Sequence, residues 1–431
     1  MSHALGPLAA LLMASAILLT GNGLQSTLIA VRANLEGFPV LVIGGLMSAY
    51  FTGFVAGCFY NPTIVQRSGH IRAFAAFAAL ACAAALLHAL IVHPVAWLIL
   101  RVIVGFCFAG LAMVIESWIN ERATNQNRGT LFAIYRSVDL TAHTFGQLLL
   151  NTADPAGMHL FLFVAIMVSL ALIPVALTTT TAPRPIEARS FKVTKVFDTS
   201  PLAAWAALAT GLSNGAFWGL APNFIQNQGY DIGMVAYFMA AVIMGGAMFQ
   251  VPLGYLSDRT DRRLILILIS FCGGAASLLL ALCSTLGPMA LFFAGIFFGA
   301  FAMSVYSMAV AHANDFAERA DFVEISSGLL FIFGIGAIAG PLIAAGLVAV
   351  AGDPALFMYM AASQWLLVLY GIYRIRVRPS VPVNQQALFH PAGTAPRATP
   401  ESAELDPRAL PHGGTVRCSL QSKGAPETTS S

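Results

Sequence analysis

Apolar side chains fall along this chain in blocks of about 20 residues, with short polar stretches between them. No strand-like alternation of apolar and polar positions interrupts these blocks. A run of that length matches one helical crossing of a bilayer core. Twelve blocks are expected to cross, near 8–33, 40–60, 73–93, 95–116, 130–151, 157–177, 201–221, 231–256, 263–283, 287–310, 326–350 and 354–375. Lipid offers the backbone no hydrogen-bond partner, so only helices and closed barrels span it, and the missing alternation leaves helices. Composition agrees: 58% of residues are hydrophobic and 10% charged, against about 25% charged in a soluble chain. The predicted fold class is an all-α membrane protein. Ala14-Ser15-Ala16 has the form of a signal-peptide cleavage site, but Met1-Ser2-His3 lacks a basic residue and apolar sequence continues past it, so the first block is expected to be kept as a helix.

The chain also repeats itself. Asn22-Gly23 returns as Asn214-Gly215, and Gly105, Phe108, Ala112, Met113 and Ser117 return at equal spacing as Gly295, Phe298, Ala302, Met303 and Ser307. The arginine-bearing segment after Gly57 has a counterpart after Gly254. Two pseudo-symmetric six-helix bundles are therefore expected, 1–177 and 201–378. They are joined by a linker over 178–200 and followed by a tail over 379–431 that holds eight prolines and no apolar period. Such a tail buries too little surface to offset chain entropy and is expected to be disordered. Duplicated membrane proteins of this kind are typically secondary transporters with the site between the repeats.

Charge placement sets the topology. With the twelve spans laid out, fifteen of the 22 Lys and Arg residues fall in the short loops of one side and in 178–200, and only Arg32 falls in those of the other. That bias predicts both termini in the cytoplasm of a cell whose inner or plasma membrane holds the protein. A formal charge of +3 gives no case for nucleic acid. The cysteines do not form an external framework and the nine histidines lack ligand spacing, so neither disulfides nor a metal is expected, and no cofactor is implied.

The segment Gly254-Tyr255-Leu256-Ser257-Asp258-Arg259-Thr260-Asp261-Arg262-Arg263 resembles the signature between the second and third helices of a half in the major facilitator superfamily. The first-half equivalent is degraded, running Gly57, Asn61-Pro62, Arg67, Gly69-His70, Arg72 without the usual aspartate. Arg101-x-x-x-Gly105 in the fourth span and Gly340-Pro341 in the eleventh resemble further superfamily motifs. Glu116-Ser117-Trp118-Ile119-Asn120, Gly69-His70-Ile71-Arg72 and the Ser327-Gly328-Leu329-Leu330 to Gly340-Pro341-Leu342-Ile343 run look like its poorly characterised YcaD-type branch. The resemblance covers 8 to about 378. It implies a facilitator-type transporter with a cytoplasmic gate at Gly57, Arg67, Arg72, Glu116, Gly254, Asp258 and Arg259. The small residues would admit close helix approach. Asp258 would pair with an arginine, and Glu116 or Glu121 would supply the missing first-half acid. The simpler alternative is that these arginines only anchor loops on one side.

Charges inside spans are costly and therefore point to function. Arg136, Asp139 and His143 share one face of the fifth span. Arg136 either lines a cavity or forms a neutral structural pair with Asp139. Asp139 and His143 are the candidates for proton coupling. Arg101 either reaches the site or snorkels to the interface. Asn22 and Gln25, with Asn214 and Trp218 by pseudo-symmetry, complete the candidate substrate site, and Phe217 is placed beside them. The expected function is a secondary active transporter that moves a small solute by alternating access with proton coupling, as a monomer in the lipid bilayer. The alternative is a transporter-like sensor or receptor. No nucleotide-binding loop and no clustered catalytic set occur, so ATP-driven pumping and an enzyme are not expected. Arg101 and Arg136 suit a monoanion, while the apolar surroundings suit an amphiphile equally well.

Overall fold

A computed structural model describes residues 2–124, 127–177, 192–382, 385–386, 389–390 and 398–405. Among these, the regular structure is helical. It comprises α1 (Ser2–Leu35), α2 (Val40–Ser68), α3 (His70–Leu90), α4 (Pro94–Arg122), α5 (Arg128–Leu148), α6 (His159–Ala176), α7 (Val193–Thr199), α8 (Pro201–Asn227), α9 (Ile232–Ser257), α10 (Arg262–Cys283), α11 (Pro288–Ala302), α12 (Val305–Asn314), α13 (Phe322–Ala351) and α14 (Ala355–Val377), with short 3-10 turns at Leu149–Thr152, Arg319–Asp321 and Pro400–Leu405. Prolines open α4, α8 and α11, where a missing N–H costs nothing. The α2–α3 corner turns at Gly69, whose φ of 83° favours glycine. Helices α11 and α12 form one crossing interrupted at Met303 and Ser304.

Ten of the twelve crossings are long and apolar enough to span a membrane by composition alone. The other two, α5 and α8, carry more polar side chains. Helix α8 is buried along nearly its whole length, and α5 keeps Arg136, Asp139, His143 and Gln147 on its buried face. Buried helix surface escapes the demand for apolarity that lipid imposes on exposed surface.

Helix pairing repeats between the halves. The pairs α2–α4, α1–α5, α1–α6, α3–α6 and α3–α4 have as counterparts α9–α11, α8–α13, α8–α14, α10–α14 and α10–α11. Several of these pairs touch backbone to backbone. A Cβ on Gly53 would fall 1.9 Å from the Val102 carbonyl oxygen, and one on Gly105 would fall 2.0 Å from that of Tyr50. In the other half, Gly245 and Gly299 stand at 2.0 and 1.9 Å from the carbonyls of Ile296 and Val242. The Gly340-Pro341 run behaves likewise, with Gly336 and Gly340 closing on the α8 carbonyls of Leu208 and Leu212. The halves meet along α2–α13 and α5–α9, with α1–α8 and α2–α8 between them.

Three local differences from the sequence expectation stand out. Helix α2 continues eight residues past the expected end of its span, through Pro62, because the fully buried Asn61 donates to the Phe106 carbonyl at 3.0 Å and holds the extension against α4. Of the expected linker, 178–191 lie outside the described residues, whereas 193–199 form α7, whose Lys195 bridges Asp321 at 2.8 Å and Glu324 at 2.7 Å. These two hydrogen-bonded carboxylates raise the lysine pKa above its ordinary value. Finally, the tail is not featureless where it is described. Residues 398–402 are buried or nearly so against α4 and α13, and Phe389 sits on Gly254. Pairing with buried polar groups, not apolar periodicity, holds this stretch.

Candidate functional site

A small cavity lies between the halves near their middle. Asn22, Ser26, Tyr50, Arg101 and His143 reach it from the first half and Trp218 from the second, with Met47 and Phe51 completing the wall. It leaves about 30 Å³ open to water centres, room for about two waters. The His143 and Trp218 rings meet edge to face at 5.4 Å across the seam. Asn22 donates to the Tyr50 hydroxyl at 3.4 Å. The Trp218 indole N–H is buried and has no hydrogen-bond partner among the described residues.

Arg101 does not snorkel. It is 2% exposed, with its guanidinium 4.5 Å above the Tyr50 ring, Nε 3.4 Å from the Leu46 carbonyl and Nη2 3.9 Å from the Met47 sulfur. Arg136 and Asp139 form a buried ion pair within α5, and neither lines this cavity. Gln147, one turn beyond His143, accepts from Thr27 at 2.5 Å and donates to the Gly23 carbonyl at 3.0 Å, fastening α5 to α1. Gln25 and Asn214 are buried but stand outside the cavity wall. Phe217 is fully buried and packs on Phe238 and Phe298 inside the second half instead of facing a solute. Tyr50, Ser26, Met47 and Phe51 were not expected at the site. A tyrosine within an apolar span was the one available signal.

The gate residues divide. Gly57 does admit close approach, since a Cβ there would fall 2.7 Å from that of Ala109 on α4. Arg67 and Arg72 are exposed and pair with no acid among the described residues. Glu116 is not their partner. It is buried, accepts from the Tyr135 hydroxyl at 3.2 Å, and accepts from the Thr399 hydroxyl. Asn120, one turn along α4, donates to the Glu401 carbonyl at 2.9 Å. Asp258 pairs with Arg262 at 2.8 Å and not with Arg259, whose guanidinium lies 4.0 Å over the Tyr255 ring. Arg262 also reaches Asp315 at 2.6 Å, tying the ends of α9, α10 and α12 together. The turn between the helices sets the pairing of Asp258 with Arg262, with Asp258 at the C-terminal end of α9 and Arg262 opening α10. Gly254 admits a ring rather than a helix: a Cβ would fall 2.0 Å from the Phe389 side chain. The Phe389 N–H donates to Asp258 at 2.8 Å. Asp261 accepts from Arg263 through side chain and backbone. Burial pushes its pKa up, but these bonds and the arginine charge outweigh burial and leave it below the ordinary value.

At the face away from the arginine-rich loops, Asn34 donates to Gln226 at 3.2 Å and Asn227 at 3.3 Å, joining α1 to α8. Gly44 lets α2 close on α13 there, with a Cβ position 2.6 Å from the Pro341 carbonyl. Towards the basic face the same two helices touch through the Phe59 and Phe331 rings, 5.5 Å apart.

A family model described as Major Facilitator Superfamily matches residues 11–245 and 203–401. The chain belongs to this superfamily. An uncharacterized MFS-type transporter YcaD from Salmonella typhi is 25% identical over 373 residues, covering 86% of this chain and 96% of that protein. Its namesake from Salmonella arizonae is 26% identical over 363 residues, covering 83% and 94%. Among solved structures, the nucleoside transporter NupG superposes with a TM-score of 0.71 at 13% identity, covering 86% of this chain and all of that one. The xylose transporter XylE from E. coli, in a partially occluded inward-open conformation, superposes with 0.64 at 13% identity over 88% and 99%. These superpositions establish the two-bundle fold. Family membership makes the protein an integral membrane transporter with a small-molecule substrate.

Proposed function

We propose that the protein is a secondary active transporter of the cytoplasmic membrane, with its basic face inward, that carries a small solute by alternating access and couples it to protons. One observation carries this reading: the central cavity takes its polar lining from one half and a donor from the other, so relative motion of the halves would make or break the site. Its small volume matches a closed state, and a solute enters only after the halves part. The wall on the opposite face would open by loss of the Asn34 bonds, and the basic face by separation of α2 from α13.

Protons are assigned to Asp139 and His143. They share one face of α5, one turn apart, with Asp139 tied to Arg136 and His143 on the cavity wall. Protonation of Asp139 would release Arg136, a change in buried charge that a solute-dependent motion can sense. The test is solute uptake into proteoliposomes across a solute panel, with and without a proton gradient. Asp139→Asn should abolish gradient-driven accumulation and leave exchange intact. Unchanged accumulation would remove Asp139 from the coupling path. Binding without any flux would favour the receptor alternative.

A further inference from the structure

The chemistry of the cavity wall narrows the solute class, given the transporter reading above. Of the two intramembrane arginines, Arg136 is already neutralised by Asp139. Arg101 is not, since no carboxylate among the described residues pairs with it. Its contacts are a ring face, a long bond to one carbonyl and a thioether, which is a weak acceptor. A buried guanidinium so served retains both unmet charge and unmet donors. With His143 neutral, it is also the only charged side chain among the described residues of the cavity wall. Around it stand the unpartnered Trp218 N–H and the Asn22 amide, which donates one N–H to Tyr50, while the Ser26 hydroxyl is spent on the Gly23 carbonyl at 2.9 Å. Among the described residues, no aspartate or glutamate lines the space. Met47, Phe51 and the Tyr50 ring give the wall an apolar and aromatic surface beside these donors.

We infer that the cavity takes a small monocarboxylate with a short apolar or aromatic body, its carboxylate held by Arg101 and the Trp218 N–H. One uncompensated positive charge matches one negative charge. A dianion would leave a second charge buried without a partner, and a cation would meet Arg101 with nothing to offset it. The guanidinium fork matches a carboxylate in two parallel bonds, which an amide or an alcohol cannot reproduce.

The test is equilibrium binding to the purified full-length protein at neutral pH. Acetate, butyrate, benzoate and phenylacetate are each compared with their primary amide, and phthalate serves as the dianion. At least one carboxylate should bind about ten-fold or more tightly than its amide, the worth of a charge-assisted hydrogen bond. Phthalate should bind more weakly than benzoate. Arg101→Gln should erase the carboxylate preference, Arg101→Lys should keep part of it, and Trp218→Phe should weaken the preferred anion a few-fold. The inference is overturned if no carboxylate outbinds its amide in the wild type, or if Arg101→Gln keeps the preference. Should Arg101→Gln fail to fold, the wild-type ratios and Trp218→Phe decide. Counterflow in liposomes separates the two readings. Carboxylate preference without counterflow keeps the anion site and sinks transport, whereas equal counterflow of acids and amides does the reverse.

Discussion

Gly105→Ala should loosen the first half measurably. The new Cβ would stand 2.0 Å from the Tyr50 carbonyl oxygen, where real Cβ contacts essentially never fall below 3.0 Å, so α2 and α4 must part by 1.0 Å, the difference of those figures. The obstacle is backbone, which cannot rotate aside as a side chain would. A radial gap of about 1 Å forfeits up to about half of each van der Waals contact along the pair. Overpacking usually costs about 1–3 kcal/mol, and an unyielding neighbour puts this case at the upper end, about 3 kcal/mol. For a unit the size of one half, that lowers the melting temperature by about 6–12 °C. Gly53→Ala meets the Val102 carbonyl at 1.9 Å and should cost as much. The double variant should cost less than the sum, because one separation relieves both clashes. Gly346→Ala in α13, with nothing within 4 Å, is the control and should be neutral or slightly stabilising. The assay is thermal unfolding in detergent, followed by tryptophan fluorescence. A Gly105→Ala melting point within about 2 °C of wild type would refute backbone-level contact as the source of this packing.

Asn34→Ala removes the α1–α8 bonds on the face opposite the basic loops; at about 1 kcal/mol it should shift the populations a few-fold, read as faster polar thiol labelling of a Ser26→Cys reporter from that face, and an unchanged rate would contradict it. Deleting 398–405 leaves Glu116 and Asn120 without their tail partners and should speed labelling of an Ala112→Cys reporter from the basic face, whereas equal rates with and without the segment would show that it seals nothing. Asp261, held below the usual carboxylate range by Arg263, stabilises the fold above its unfolded pKa of about 4 and loses that contribution as pH falls further. Asp261→Asn should therefore melt earlier at pH 7, with the gap to wild type closing below about pH 4; a gap that persists in acid would refute the ionic origin.

The spans were legible because lipid imposes a length and an apolar composition that a sequence displays directly. Local pairs were legible too: Arg136 and Asp139 lie within one turn, and helical periodicity alone brings them together. The site was legible only in part. Asn22, Arg101, His143 and Trp218 stood out as polar or amphipathic residues inside apolar runs. Tyr50 and Phe51 did not, since nothing in α2 separates an aromatic residue facing a cavity from one facing lipid, and Ser26 on α1 is a small residue that bonds its own helix at Gly23. Helix α8 is buried all round, so its pattern holds no facial contrast, and Asn214 was expected at the site but is not among the residues lining this cavity. The partners of Glu116 were beyond reach because the Thr399 contact joins residues 283 positions apart. A docking segment without an apolar period carries no local sign of where it binds.

That contact makes the tail a second tether. The chain passes from one bundle to the other once through 178–200, and it crosses back when 398–405, covalently part of the second bundle, seats on α4 of the first. Proteolytic cleavage within 178–191 would thus leave the two products clasped at the basic face, and a gene split there should yield fragments that find each other. The same geometry sets the demand on inward opening: α4 and α13 separate only when this clasp lets go or travels with one of them.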